Sequence, residues 1–176
     1  EWQVAGNNFP DHGDQPSNDP TVSSAPTATF TITGSQAVVG GIQWVGGDHG
    51  FTLDASDAIY TDSALTIRHR AYPVGTTAPE WTIVSGAEAT FDLGADAADG
   101  AWTIEWEVAS PCRTTTGSAA VSLDTAAPEI VIVEPAADQY DTDDLTKVEY
   151  TTSDSGSGVA SHSVTFDGGA ATNGQV

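Results

Sequence analysis

The feature that most constrains the fold of this chain is an internal repeat. A proline followed by a strand-like pattern occurs at Pro26 and again at Pro128, and a Ser-Asp pair follows a second strand-like pattern at 56–57 and at 153–154. These marks recur about 100 residues apart, which is the length of one small sandwich domain. The repeat therefore predicts stacked β-sandwich modules.

Strand and turn patterns divide the chain into three parts. Residues 1–24 are polar and rich in turn residues, which is typical of a linker or arm. Residues 25–124 contain about seven to eight short strand patterns separated by Gly, Asp and Pro turns, which predicts one full sandwich. Residues 125–176 contain strand patterns at 130–133, 147–152 and 159–166, which predicts a partial second module. The predicted fold class is all-β.

A partial module poses a structural problem, because half a sandwich leaves strand edges unpaired. Two explanations stay open from the sequence. The chain is a fragment or an incompletely ordered part of a longer protein, or a strand donated by another subunit completes the module.

The segment 101–108 is the most diagnostic strand pattern, because large apolar residues alternate with polar ones. Its polar face carries Glu105 and Glu107, which either stay in contact with solvent or meet Arg68 and Arg70 on a paired strand. The expected inward side chains are Trp102, Ile104, Trp106 and Val108.

The charge balance is extreme, with 25 acidic against four basic residues and a formal net charge of −21. A field of this sign repels nucleic acid and anionic lipid, which excludes both as favoured partners. No apolar run approaches the ~20 residues of a membrane-spanning helix. Two explanations of the acidity remain, a surface that stays hydrated in high salt and the binding of cations by carboxylates.

Calcium is the leading cofactor hypothesis, because short aspartate side chains supply the oxygen ligands that Ca²⁺ prefers. The alternative is that these side chains are solvated turn residues on an acidic surface. One candidate group lies in the segment 138–144 and consists of Asp138, Asp141, Asp143 and Asp144. A second lies at the junction between modules and consists of Asp124 and Glu129 near Asp154 or Asp99.

Motifs for catalysis are absent from the sequence. The adjacent pairs 48–49 (Asp-His) and 161–162 (Ser-His) lack a nucleophile motif, and no glycine-rich phosphate loop opens a helix. The four histidines, among them His69 on a strand pattern, are scattered, and we expect them at the surface. Cys112 is the single cysteine and is expected as a free thiol, the alternative being a bridge to another chain.

Four aromatic residues outside the main alternating strand leave two interpretations open. They belong to the core, or they share an exposed face and stack on sugars, which makes a glycan a possible partner. These residues are Trp44, Tyr60, Tyr72 and Trp81.

Three motifs carry a resemblance to a known family. The junction L-D-T-A-A-P at 123–128, the stretch T-T-S-D-S-G-S-G-V-A at 151–160 and V-T-F-D-G-G at 164–169 resemble the tandem immunoglobulin-like modules of prokaryotic secreted and surface proteins. The resemblance implies an immunoglobulin-like β-sandwich fold. The acidic, lysine-poor composition is similar to that of proteins from salt-loving microbes.

The functional expectation follows from this resemblance. It implies a non-catalytic structural or adhesive segment of an extracellular surface-layer, appendage or fibre protein, whose partners are other copies or neighbouring modules. The alternatives are a carbohydrate-binding or spacer module of a secreted enzyme and a strand-exchanging filament subunit.

Overall fold

Strands make up nearly all the regular structure of this protein. The computed structural model describes residues 24–135, 147–166 and 168–174, which form thirteen strands and one 3-10 turn at Asp62–Ala64. The strands are β1 Thr27–Thr33, β2 Gln36–Val39, β3 Ile42–Val45, β4 Gly50–Ser56, β5 Thr66–Pro73, β6 Thr82–Ser85, β7 Glu88–Phe91, β8 Gly100–Ala109, β9 Thr114–Leu123, β10 Glu129–Glu134, β11 Glu149–Ser153, β12 Thr165–Phe166 and β13 Gly169–Ala170. The predicted all-β class is confirmed for the described residues.

The first nine strands, which we call the first unit, form two sheets. One sheet has three strands in the order β1-β4-β7, and the other has six in the order β2-β3-β9-β8-β5-β6. Neighbouring strands are antiparallel except β3 and β9, which are parallel and pair Trp44 with Ser122 and Val45 with Leu123. The parallel pair places the end of β9 beside the end of β3, which fixes where the chain leaves the first unit.

The core lies between the two sheets. Phe51 from the three-stranded sheet packs in one cluster with Trp102 and Ile104 from the six-stranded sheet, and Leu53 packs in a second cluster with Val108. Each buried side chain of this size contributes about 1.5–3 kcal/mol. The predicted inward face of β8 is confirmed, with Trp106 the one member that stays partly exposed.

The apolar stretch 38–45, which a Gly-Gly pair interrupts, forms a hairpin and not one strand. Gly40 and Gly41 have φ angles of 61° and 83°, a left-handed pair that closes a two-residue turn. β2 and β3 therefore lie side by side and pair Val39 with Ile42. The Gly-Gly pair therefore forms the turn between two strands and does not interrupt a single strand.

His69 corrects the expectation that the histidines lie at the surface. It is only 7% exposed, and its ring stacks on Phe91 with centroids 4.0 Å apart. On β5 the inward positions are every second residue, so Leu65 and Ile67 place His69 on the core side. Burial lowers the pKa of His69 below its usual 6.5, because the interior disfavours the charged imidazolium.

The outer face of the six-stranded sheet carries the ion pairs expected from the sequence. β5 pairs with β8 so that Arg68 lies opposite Glu107 and Arg70 opposite Glu105. Arg70 donates from Nε to Oε2 of Glu105 over 2.8 Å, and Arg68 also bonds to Glu107. The predicted cross-strand pairing is confirmed.

The described residues after β9, which we call the second unit, form two short antiparallel pairs, β10 with β11 and β12 with β13. The prediction of a strand over 159–166 is wrong for residues 159–164, because strand structure in this segment is limited to Thr165–Phe166. The polar run 161–163 offers no apolar face to bury, and His162 instead approaches the Tyr150 hydroxyl, with Nε2 and Oη 3.2 Å apart.

β10 carries apolar side chains that remain open to solvent. Among the described residues it pairs only with β11, and its four central side chains are between 41% and 48% exposed. On β11 the inward positions are covered, with Tyr150 8% exposed and its N–H bonded to Asn173 Oδ1 at 3.0 Å.

Candidate functional site

The junction between the two units is anchored at the end of the first sandwich. Asp124 follows Leu123, which is buried in the core, and its backbone N–H donates to the Val45 carbonyl over 3.0 Å. This bond continues the parallel pairing of β9 with β3 by one residue. Asp124 therefore has a backbone position set by the six-stranded sheet.

The Asp124 carboxylate binds the second unit. Its Oδ2 accepts a hydrogen bond from the Ser157 N–H at 2.6 Å, and its Oδ1 accepts one from Ala126 at 3.2 Å. Hydrogen bonds from the side chain and backbone of Ser157 lower the pKa of Asp124 below its usual 3.8. The ionised carboxylate is thus the form that joins the two units.

The loop that contacts Asp124 is shaped for this close approach. Asp154 Oδ1 accepts from the N–H groups of Gly156 at 2.9 Å and Gly158 at 2.8 Å, which curls residues 154–158. A Cβ on Gly156 would lie 2.5 Å from Cγ of Asp124, so any larger residue would have to displace the Asp124 carboxylate. We call Asp124, Asp154, Gly156 and Ser157 the junction clamp.

Thr125 gives the junction a second attachment. Asp99 Oδ1 accepts hydrogen bonds from the Thr125 N–H and from its hydroxyl, each at 2.9 Å. Asp99 lies in the loop before β8, so two consecutive junction residues are held by different parts of the first unit. A cavity of about 190 Å³ adjoins the clamp and is lined by Trp44 and Gly46 on one side and Ser157 on the other.

The residues predicted as calcium ligands are found in different parts of the molecule or lie outside its described part. Asp138, Asp141, Asp143 and Asp144 lie outside the described residues. Asp124 and Asp154 are brought to the same loop, where both accept backbone hydrogen bonds. Glu129 is an exposed residue at the start of β10, and the described part of the chain contains no group of three or more residues suited to hold a metal. Calcium stays a prediction.

The Asp48-His49 pair joins loops of the first unit. The carboxylate of Asp48 accepts from the Ser35 N–H at 2.9 Å, which lowers the pKa of Asp48. His49 Nδ1 lies 2.7 Å from the Gly46 carbonyl, and its Nε2 accepts from the Leu93 N–H at 3.0 Å. Both side chains are therefore used in loop packing, which the sequence pair alone did not reveal.

Cys112 is an exposed free thiol, as expected. Its Sγ lies 2.9 Å from the Tyr60 hydroxyl, and this hydrogen bond is the main reason that the pKa of Tyr60 is raised above 10.0. The contact ties the loop after β8 to the loop after β4.

The four aromatic residues considered for sugar stacking do not form one row. Trp81 and Tyr72 both lie against the Arg70 guanidinium, at 4.2 Å and 5.9 Å from ring centroid to Cζ. Trp44 instead lines the cavity beside the junction clamp, and Tyr60 contacts Cys112. Only Tyr72 and Trp81 share a site.

Comparison of this chain with family models, curated proteins and solved structures found no match. Within the described ranges, no helix has the length and apolar character needed to span a membrane.

The clamp was only partly visible in the sequence. The motifs at 123–128 and 151–160 located both of its halves, and Asp124 and Asp154 were singled out as metal ligands. The role of Gly156 and Ser157 as the partner of Asp124 was missed. The signal that could have found it is the S-D-S-G-S-G run at 153–158, in which an aspartate precedes two glycines.

Proposed function

We propose that this chain is a non-catalytic structural segment of an extracellular surface-layer, appendage or fibre protein, built from tandem immunoglobulin-like modules. The observation that carries the proposal is the junction clamp. A spacer must transmit orientation from one unit to the next, and Asp124 does so with one side chain, since its backbone is bonded to β3 and its carboxylate to Ser157.

The junction is also short, which supports the same role. Four residues separate the end of β9 at Leu123 from Pro128, and Asp99 holds Thr125 within this stretch. Flexible tethers are usually longer and lack such fixed contacts. A short, bonded junction favours a stiff array over independently moving domains.

The acidic surface fits an extracellular, salt-rich setting. The net charge of −21 is spread over a chain of 176 residues, and it favours hydration and solubility over association with anionic partners. The proposed partners are neighbouring modules or other copies of the same protein. The exposed apolar strand β10 supplies a surface suited to such contacts.

Hydrogen exchange on the full chain tests the role of the clamp. In D124A we expect the β11 amides to exchange at least tenfold faster than in the wild type, while the β8 amides keep their rates. G156A should behave like D124A, because its Cβ displaces the carboxylate. G47A is the matched control at the same junction, since its Cβ would meet Thr125 Cγ2 at an ordinary 3.6 Å. Unchanged β11 exchange in D124A and G156A would contradict the clamp.

Location is tested separately. An antibody raised against the purified chain should label intact cells of the source organism, and a protease added outside should remove the signal. Labelling only after lysis would contradict an extracellular role.

A further inference from the structure

The outer face of the six-stranded sheet carries an open groove away from the junction clamp. It has a volume of about 440 Å³, within the range of small-molecule sites at roughly 300–1,000 Å³. Its lining includes Arg70, Trp81, Glu105, Thr116 and Ser118. These residues come from β5, β8 and β9 and from the segment before β6.

The charged side chains of the groove are held in place. Arg70 is bonded to Glu105 at 2.8 Å and lies under the Trp81 ring, with Cζ 4.2 Å from the centroid. Arg68 also approaches the same ring, at 5.4 Å. Two guanidinium groups carried by β5 therefore hold the Trp81 ring in place, and a ligand meets a preorganised surface.

The local charges set the chemistry of the ligand. Arg68 and Arg70 are each paired with a glutamate, so the groove itself is close to neutral. The rest of the molecule is strongly negative, which disfavours an anionic ligand, and the paired guanidiniums leave no free carboxylate row for a cation. A neutral ligand fits this balance best.

We propose that this groove binds a neutral saccharide. The Trp81 ring supplies an apolar plane for the C–H face of a sugar ring. Glu105, Arg70 and the hydroxyls of Thr116 and Ser118 supply hydrogen-bond donors and acceptors for sugar hydroxyls. The groove is open along the sheet, so an internal stretch of a longer glycan is accommodated as well as its end. The site is independent of the structural role proposed above.

The test titrates the full chain with a panel of neutral oligosaccharides of glucose, mannose, galactose and N-acetylglucosamine. Binding is monitored by NMR of the indole and guanidinium N–H signals. At least one sugar should shift the Trp81 indole and Arg70 Nε signals saturably. W81A should weaken this binding at least tenfold, and W44A should leave it unchanged, because Trp44 lies beside the junction clamp. T116V and S118A offer gentler variants with a smaller expected weakening if W81A fails to fold.

Three outcomes would overturn the proposal. The first is that no neutral oligosaccharide in the panel shifts the Trp81 signal. The second is binding whose affinity is unchanged in W81A, or unchanged in T116V combined with S118A. The third is a groove that responds to a proline-rich peptide, another ligand class that docks on aromatic grooves, and to none of the sugars.

Discussion

At the scale of single residues, Gly117 shows how closely the first sandwich is packed. A Cβ at this position would lie 2.4 Å from Cε2 and Cζ2 of the Trp106 ring. That ring stacks on Phe30, with centroids 5.1 Å apart and planes at 10°, so it has little room to retreat. The small residue is therefore required by the indole and not by the backbone.

We expect G117A to lower the free energy of unfolding by about 1–3 kcal/mol, the usual cost of overpacking a core. Urea denaturation measures this change. The control is G47A, whose Cβ would have only an ordinary contact at 3.6 Å and should change stability by less than about 0.5 kcal/mol. Equal stabilities of G117A and the wild type would show that Trp106 is free to move.

His69 makes the free energy of unfolding depend on pH, and the sign of this dependence follows from the burial of its ring. Its pKa is lowered below 6.5 in the folded protein, so the unfolded chain takes up a proton at a higher pH than the native state does. The stability that this neutral histidine contributes is present above pH 6.5 and is lost as the pH falls toward the lower folded pKa.

H69F removes this titration and keeps an aromatic ring against Phe91. We expect the stability of H69F relative to the wild type to increase as the pH is lowered from about 7.5 to about 5. The wild type takes up a proton at His69 when it unfolds, and the phenylalanine of the variant does not. Urea denaturation across this range gives the comparison, and H162Q serves as the control at an exposed histidine. A constant difference between H69F and the wild type would contradict the account.

At the scale of the elements, the ion pairs between β5 and β8 show how much the outer face of the six-stranded sheet contributes to stability. The side chains of Arg70 and Glu105 are 24% and 30% exposed, so solvent screens their attraction. A double-mutant cycle with R70M and E105Q should give a coupling of about 0.2–1 kcal/mol that shrinks in molar KCl. A coupling above about 2 kcal/mol, or one insensitive to salt, would show that the pair acts as a buried one.

The strands of the first unit, and β10 and β11 of the second, could be predicted from the sequence, whereas the structure after β11 could not. Alternation of apolar and polar residues placed β1, β4 and β8 and their inward faces, because a strand with one buried face has a period of two residues. The same rule places His69 inward, and only the assumption that a lone histidine prefers solvent gave the wrong answer. Over 159–164 the polar run 161–163 interrupts the apolar residues and leaves no continuous face to bury, so the expected strand does not form.

Apart from the pairing of β5 with β8, the contacts between elements were beyond the reach of the sequence. The parallel pairing of β3 with β9 joins residues far apart in the chain, and no local pattern encodes it. The approach of Gly156 to Asp124 follows from that pairing, since β9 delivers Asp124 to the end of β3. Sequence motifs located the parts of the clamp, but the topology decides what they touch.

At the scale of the whole molecule, the acidic charge predicts a dependence on salt. A net charge of −21 destabilises the compact state by self-repulsion, and added ions screen it. We expect the Tm of the full chain to rise between low and molar KCl to the same extent with and without EDTA. No rise would show that the carboxylates do not repel one another appreciably in the folded protein.

Calcium is tested by the same thermal melts at fixed ionic strength. The sequence predicts a site that includes Asp141 and Asp143, so millimolar Ca²⁺ should raise the Tm by mass action, and D141N/D143N should abolish this increment. The control is equal ionic strength in KCl. An unchanged Tm on addition of Ca²⁺ would dismiss the calcium hypothesis.

We propose that the junction clamp makes the two units of this chain one stiff body. Residual dipolar couplings of backbone N–H groups measure this directly, with β4 and β8 representing the first unit and β11 the second. We expect a single alignment tensor to fit all three strands in the wild type and D124A to require two tensors. Separate tensors in the wild type would contradict a stiff junction and, with it, the proposed structural role.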